Sequence, residues 1–195
     1  MKYYIIFLFL FLFNNLLSQI ALPTFHGIQK PDPPIQYINY ALEFDGNGDN
    51  IQINGSDLNP PWTVEVWFKN ISNNYNSTLL WRCGSPCWAL KLLQYNNTKK
   101  IGITKYGNTD WKWNYITSVG KWEHVVWVGK NNNVELFVNG VSKGTKNLSN
   151  AKLYWKYIGK ANGTLTIHGE IDELRIWNDA RTATEIKSNM FKELE

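Results

Sequence analysis

Lys121–Gly140, KWEHVVWVGKNNNVELFVNG, constrains the fold more than any other stretch of the chain. Apolar and polar residues largely alternate over Trp122–Val128 and again over Val134–Val138, the pattern of strands with one face in a core and one in solvent. Asn-rich residues 130–133 separate the two runs, and Asn139-Gly140 opens a second hairpin into Val141–Lys146. Asn-Gly supplies the positive φ that a two-residue type I′ turn requires. Three consecutive antiparallel strands follow, and the rest of the chain must pack on them.

The remainder reads the same way. Short strands are expected over Tyr40–Phe44, Asn50–Ile53, Thr63–Lys69, Ser77–Arg82, Ala89–Gln94, Lys100–Tyr106, Lys112–Thr117, Lys156–Gly159, Leu165–Ile167 and Glu170–Trp177. Gly, Asn, Asp or Pro separates most of them, and helical periodicity is nearly absent. That argues for an all-β, two-sheet antiparallel sandwich, and 195 residues suit a single such domain. One short C-terminal helix is convincing. Thr182-Ala183-Thr184-Glu185 fits a capping box, Ile186 and Met190 share a face, and the helix is expected across the rim of the sandwich.

Two segments precede the domain. Met1–Ser18 has Lys2 near its start and an apolar run over Ile5–Phe13, which reads as a secretory leader cleaved before Gln19. Asn14 and Asn15 cut the run short of the ~20 residues that span a bilayer, so no stable membrane insertion is expected after cleavage. Residues 19–38 hold Pro31-Asp32-Pro33-Pro34 and read as a proline-rich arm, with the domain over 39–195. The formal net charge is +4, with one positive charge in the leader and no dense basic run, which gives no electrostatic footprint for nucleic acid.

Five motifs in order carry a family resemblance. Ala41-Leu42-Glu43-Phe44-Asp45-Gly46 and Thr63–Lys69 resemble the opening strands of laminin G-like jelly-roll domains, within the concanavalin A-like lectin/glucanase fold. Trp122-Glu123-His124-Val125-Val126 resembles the family's W-x-H-V strand, and Leu136-Phe137-Val138-Asn139-Gly140 its L-Y-V-N-G hairpin. Gly169–Asn178 resembles the closing G-x-I-D-E-V-R-I-W-N strand. The match runs from about Tyr40 to Met190, weakest over Ser72–Ser118, where such domains place variable loops. The resemblance implies a concanavalin A-like jelly roll of two curved sheets, with Trp67, Trp122 and Trp177 in the core. His124 shares a face with Trp122 and Val126 and reads as a structural histidine.

The resemblance also implies candidate chemistry. Many members bind one calcium ion through an early Asp-rich turn and a late carboxylate, which here gives Asp45, Asn47, Asp49 and Asp172. The alternative is a turn that caps its own backbone. Glu170-Ile171-Asp172 is similar to the start of the glucanase E-x-D-x-x-E signature, whose carboxylates act as nucleophile and general acid/base. The third carboxylate position holds Arg175, or Leu174 in the shorter spacing.

Ten tryptophans leave aromatics over once a core is filled. Trp81 and Trp88 flank Cys83-Gly84-Ser85-Pro86-Cys87, a turn expected at the surface and most simply closed by a Cys83–Cys87 disulfide, against free thiols or a CxxxC metal site. Trp111, Trp113 and Tyr115 share one face of a strand, either a sugar-stacking surface or one more inward face. Trp155 lies in a further cluster with Tyr154 and Tyr157. Asn-X-Ser/Thr begins at Asn54, Asn70, Asn76, Asn96, Asn147 and Asn162.

Together these features describe a secreted, non-catalytic binding module for carbohydrate or glycoprotein, with Trp81, Trp88, Trp111, Trp113 and Trp155 as candidate ligand contacts. The alternatives are an adhesion domain for a cell-surface protein and a glycan hydrolase; fold alone does not choose among them.

Overall fold

The computed structural model describes residues 4–5, 40–53, 55–72, 77–82, 88–94, 98–161 and 165–192. Cys83 and Cys87, for which a disulfide is expected, lie outside them, as do the rest of the leader and the proline-rich arm. In chain order the elements are β1 (Tyr4–Ile5), β2 (Leu42–Asp45), β3 (Ile51–Gln52), β4 (Trp62–Asn70), β5 (Ser77–Trp81), β6 (Trp88–Leu93), β7 (Lys100–Lys105) and β8 (Thr109–Ile116). Then come β9 (Trp122–Lys130), β10 (Asn133–Val138), β11 (Val141–Asn147), β12 (Tyr157–Ile158), β13 (Lys160–Ala161), β14 (Leu165–Thr166), β15 (His168–Trp177) and helix α1 (Ala183–Asn189).

The strands pair antiparallel into the expected two-sheet sandwich. A seven-stranded sheet runs β1-β15-β4-β9-β10-β11, with β2 also on β15, and a six-stranded sheet runs β3-β12-β5-β6-β7-β8. A small β13–β14 hairpin completes the set. The opening hairpins are where the sequence puts them: Val134 pairs with Gly129 across the Asn-rich turn. Asn139 and Gly140 take φ 50° and 71°, as a type I′ turn demands.

The core lies between the inner faces. Trp62, Val64, Val66 and Phe68 of β4 meet Val125 and Trp127 of β9 on one side, and Leu90, Leu92, Ile101, Ile103 and Trp113 on the other. Gly129 is required here, because a Cβ would come within 2.3 Å of the Trp62 ring. The Trp62 indole donates to Ala151 O at 2.6 Å, which satisfies the polar end of a ring that is 1% exposed.

The structure corrects one expectation about this core. Trp67, Trp122 and Trp177 lie on the outward face of the seven-stranded sheet: Trp122 is 38% exposed, and the other two are half-buried. Alternation specifies two faces without saying which is inside, and both faces of β4 are largely covered. Trp67 shares its face with Glu65 and Lys69, and Trp122 shares its face with His124.

The cover is α1. Its capping box forms as expected, with Thr182 Oγ1 accepting from Glu185 N–H and the Glu185 side chain accepting in return. The helix does not cross the rim. Ile186 packs on Val126, Val128 and Phe137, so α1 lies on the outward face of the seven-stranded sheet. Burying one such side chain contributes about 1.5–3 kcal/mol toward docking the helix. Beneath it, His124 is 1% exposed, with Nε2 3.2 Å from Glu65 Oε2, as expected of a structural histidine. Among the sequon asparagines, Asn70 is fully buried and Asn147 is exposed; the other four lie outside the described residues.

Candidate functional site

What α1 leaves uncovered is a groove of about 610 Å³ on the same sheet face. Trp67 and Trp122, from the neighbouring strands β4 and β9, form its floor. Tyr40, Ala41 and Glu43 line one side with Glu170, Asp172 and Glu173 of β15, and Met190, Phe191 and Lys192 line the other. Register explains the convergence: Glu43 lies opposite Glu170, and Asp172 lies opposite Trp67. Outward residues of four neighbouring strands, β2, β15, β4 and β9, therefore meet in one place.

The wall that follows α1 is fixed in position. Trp67 Nε1 donates to Met190 O at 2.8 Å, and Arg175 donates to Asn189 O at 3.0 Å and to Lys192 O. A bulge makes the second contact possible. The β15–β4 register shifts between Asp172 and Arg175, with Glu173 at φ 50°, so Arg175 reaches the same outward face. Thus anchored, the chain holds Phe191 at 75% exposure with its ring 5.6 Å from Trp67. Fixed, exposed aromatic rings beside polar groups are suited to apolar faces that also carry hydroxyls.

The charges in the groove are ordered. Lys69 Nζ sits 2.7 Å from Glu170 Oε1 and 5.9 Å from the Trp122 ring centroid. Asp172 Oδ1 accepts from Glu173 N–H at 2.8 Å. Glu170 and Asp172 thus share a face, as the spacing implied. The third position of the glucanase signature also faces this side, but there Arg175 pairs with Glu173 and holds backbone carbonyls. A guanidinium does not give up a proton in a protein, so it cannot serve as a general acid.

None of the five candidate ligand tryptophans lines the groove. Trp113 and Trp155 are 1% and 2% exposed core residues, which overturns their reading as surface contacts. Their indoles are taken by Gly144 O and Ser56 O. Trp81 and Trp88 are also buried, against the expectation of a surface pair: Trp81 lies under the β13–β14 hairpin with Ala89 and Ala161, and Trp88 joins the core. Trp111 is half-buried and stacks on Trp88 at 5.7 Å. Sandwich strands need filled inward faces, and Trp111, Trp113 and Tyr115 supply one of them.

Nor do the proposed calcium ligands converge. Asp45 Oδ1 accepts from Asn47 N–H at 2.6 Å and Asp49 Oδ2 from Asp45 N–H at 2.9 Å, so the turn caps its own backbone. His168 is the β15 residue opposite Asp45, which leaves Asp172 four residues further along, about 13 Å away at strand rise. Among the described residues no three His, Cys, Asp or Glu side chains come together to hold a metal ion. These four residues do not fit a shared ion that needs six to eight oxygens.

One titratable group away from the groove ties the sheets together. Tyr115 of β8 donates to Glu123 Oε1 of β9, and burial, reinforced by that carboxylate, pushes its phenol far above the usual tyrosine range.

The comparisons agree with this architecture. A laminin G family model of the concanavalin A-like lectin/glucanases superfamily matches residues 45–187. Domain 4 of AbnA, a GH43 extracellular arabinanase from Geobacillus stearothermophilus solved in complex with arabinotriose, superposes with TM-score 0.63 at 19% identity, covering 76% of this chain and 75% of that one. A proposed carbohydrate binding protein from Bacteroides ovatus ATCC 8483 gives TM-score 0.61 at 17% identity, over 75% of this chain and 44% of that one. Domains LG4-5 of the mouse laminin alpha1 chain give 0.53 at 16%, over 70% and 40%. At such identities the likeness shows the fold. Comparison with curated proteins gave no match.

Proposed function

Because the chain belongs to the concanavalin A-like lectin/glucanases superfamily, through a laminin G-like domain over residues 45–187, we propose that it is a secreted, non-catalytic module that binds carbohydrate in the groove over Trp67 and Trp122. One observation carries this reading: a groove with a tryptophan floor and polar walls, held open by a helix and a tail anchored on the sheet. Trp122 offers a ring face for the apolar side of a sugar, and Glu43 and Asp172 accept from its hydroxyls. The solved relative that carries arabinotriose supports a neutral oligosaccharide as the first ligand to try. Arg175 at the third signature position supports recognition without bond cleavage. Among the described residues no helix is long and apolar enough to cross a membrane.

A protein partner is the second reading, favoured by Tyr40 and Phe191, which stand 77% and 75% exposed at the edges of the groove. Isothermal titration of the full chain with arabinotriose, xylotriose and cellotriose, alongside a neutral-glycan array, separates the two. Binding to at least one neutral glycan that falls at least about tenfold in Trp122→Ala supports the sugar site. Silence across the array from a folded protein overturns it in favour of a protein partner.

A further inference from the structure

The charges that line the groove select among saccharides. We propose that the groove over Trp67 and Trp122 prefers an amino sugar, whose ammonium is received between Glu43 and Glu170. This inference rests on the reading of the groove as a saccharide site and narrows its ligand.

Register sets four side chains in one row across four strands. Trp122 of β9 lies opposite Lys69 of β4, Lys69 opposite Glu170 of β15, and Glu170 opposite Glu43 of β2. All four face outward, because their neighbours Val125, Phe68, Ile171 and Phe44 enter the core. The next outward row sets Asp172 beside Trp67. One lysine therefore stands among three carboxylates, and it is held on one side. Lys69 Nζ lies 2.7 Å from Glu170 Oε1 and 5.9 Å from the Trp122 ring centroid. Glu173 is matched separately by Arg175. Glu43 is exposed on the far side of Glu170, and among the described residues no lysine or arginine forms an ion pair with it.

Like charges directly opposite on paired strands repel, and a cation placed between them relieves the repulsion. Glu43 and Glu170 are such a pair, with the chain's own cation on one side only. The sign is local: the whole chain carries a formal net charge of +4, yet four carboxylates line the groove against Lys192 in its wall. Lys69 already shows what an ammonium finds here, a carboxylate in contact and a tryptophan ring face beside it. The span of the row decides the kind of cation. Trp122 and Glu43 stand three strand spacings apart, about 14 Å. A small amine cannot touch both. A trisaccharide can stack one ring on Trp122 and bring the ammonium of another to Glu43. An acidic saccharide would meet the same carboxylates with the wrong sign.

The test titrates the full chain at about pH 6, where the sugar amine is protonated as an α-amino group would be. The probes are the glucosamine trimer of chitosan and cellotriose, which has a hydroxyl in place of each ammonium. The amine is expected to bind at least about tenfold more tightly than cellotriose, with the preference shrinking as salt is raised. Glu43→Gln is expected to cut that preference to about threefold or less, with a melting temperature no lower than wild type, because a like-charge contact is removed. Lys69→Met removes the competing ammonium and is expected to move the preference the other way, up by about threefold. Spermidine, a cation without a sugar ring, is expected to bind at least about tenfold more weakly than the trimer. Equal binding of the two trimers, with both lost in Trp122→Ala, would overturn the amine preference and leave the groove a saccharide site. An undiminished preference in Glu43→Gln, or spermidine binding as tightly as the trimer, would overturn it as well. No binding of either trimer at millimolar concentration, together with silence on the neutral array, would overturn both readings.

Discussion

The two outward faces of this sandwich are built on the same plan and end in opposite chemistry. On the seven-stranded face, Trp67 and Trp122 lie open beside Glu43, Glu170, Asp172 and Glu173, and α1 covers the rest. On the six-stranded face, Lys91 is 1% exposed beside Thr78 and Tyr106, Lys100 and Lys112 stand at outward positions of β7 and β8, and Asp110 accepts from Thr104. A strand offers alternate side chains to each surface, so each sheet can fill the shared core with one set and adapt the other to a partner.

The largest expected break between core and face comes from two tryptophans that look alike in the sequence. Trp113→Ala removes a fully buried ring and its bond to Gly144 O, and urea unfolding should show a loss of about 3–5 kcal/mol. Trp122→Ala, at 38% exposure, should stay within about 1 kcal/mol of wild type while losing the groove ligand. A large stability loss in Trp122→Ala would return that ring to the core.

A smaller effect tests the cover of the seven-stranded face. Thr182→Ala breaks the capping box and should cost about 1 kcal/mol by the same measurement, with affinity falling at the groove. A loss above about 4 kcal/mol would mean that α1 supports the whole sandwich rather than one face.

The link between the sheets is testable by pH. Burial favours the neutral Tyr115 phenol in the folded chain, so its folded pKa lies above its unfolded one. Below about pH 10 the phenol is protonated in both states and nothing is lost; above it the unfolded chain ionises first and stability falls. Tyr115→Phe should flatten this alkaline decline in thermal melts from pH 9 to 11, and an unchanged slope would remove Tyr115 as its cause. Smallest of all, Lys69→Met takes one partner from a half-exposed ion pair with Glu170 and should change stability by less than about 1 kcal/mol.

The sandwich was legible because its signals are local. Asn139-Gly140 specifies its turn by φ alone, and Thr182 with Glu185 starts α1 within a single turn of chain. The sites were less legible because they depend on which face is inside. Period two places Trp67 with Glu65 and Lys69 but does not say that this set points outward, and the motif resemblance drew the reading toward the core. The groove wall at Met190–Lys192 required the Arg175 and Trp67 contacts across the fold, which no local pattern announces. Lys91 sits in an ordinary strand sequence, and only packing from Tyr106 and a hairpin some seventy residues downstream makes it unusual.

The buried Asn70 has a consequence for biogenesis. It heads an Asn-Ile-Ser acceptor sequence, yet its amide ends the inward row of β4 with no exposed surface. A glycosylating enzyme can reach that amide only before β4 closes against β15 and β9, and a chain so modified cannot bring the strand end back inside. Folding and modification are therefore mutually exclusive there, and in a cell that attaches N-glycans the slower of the two loses. Glycan occupancy at Asn70 would act as a clock, marking molecules whose sandwich closed too late.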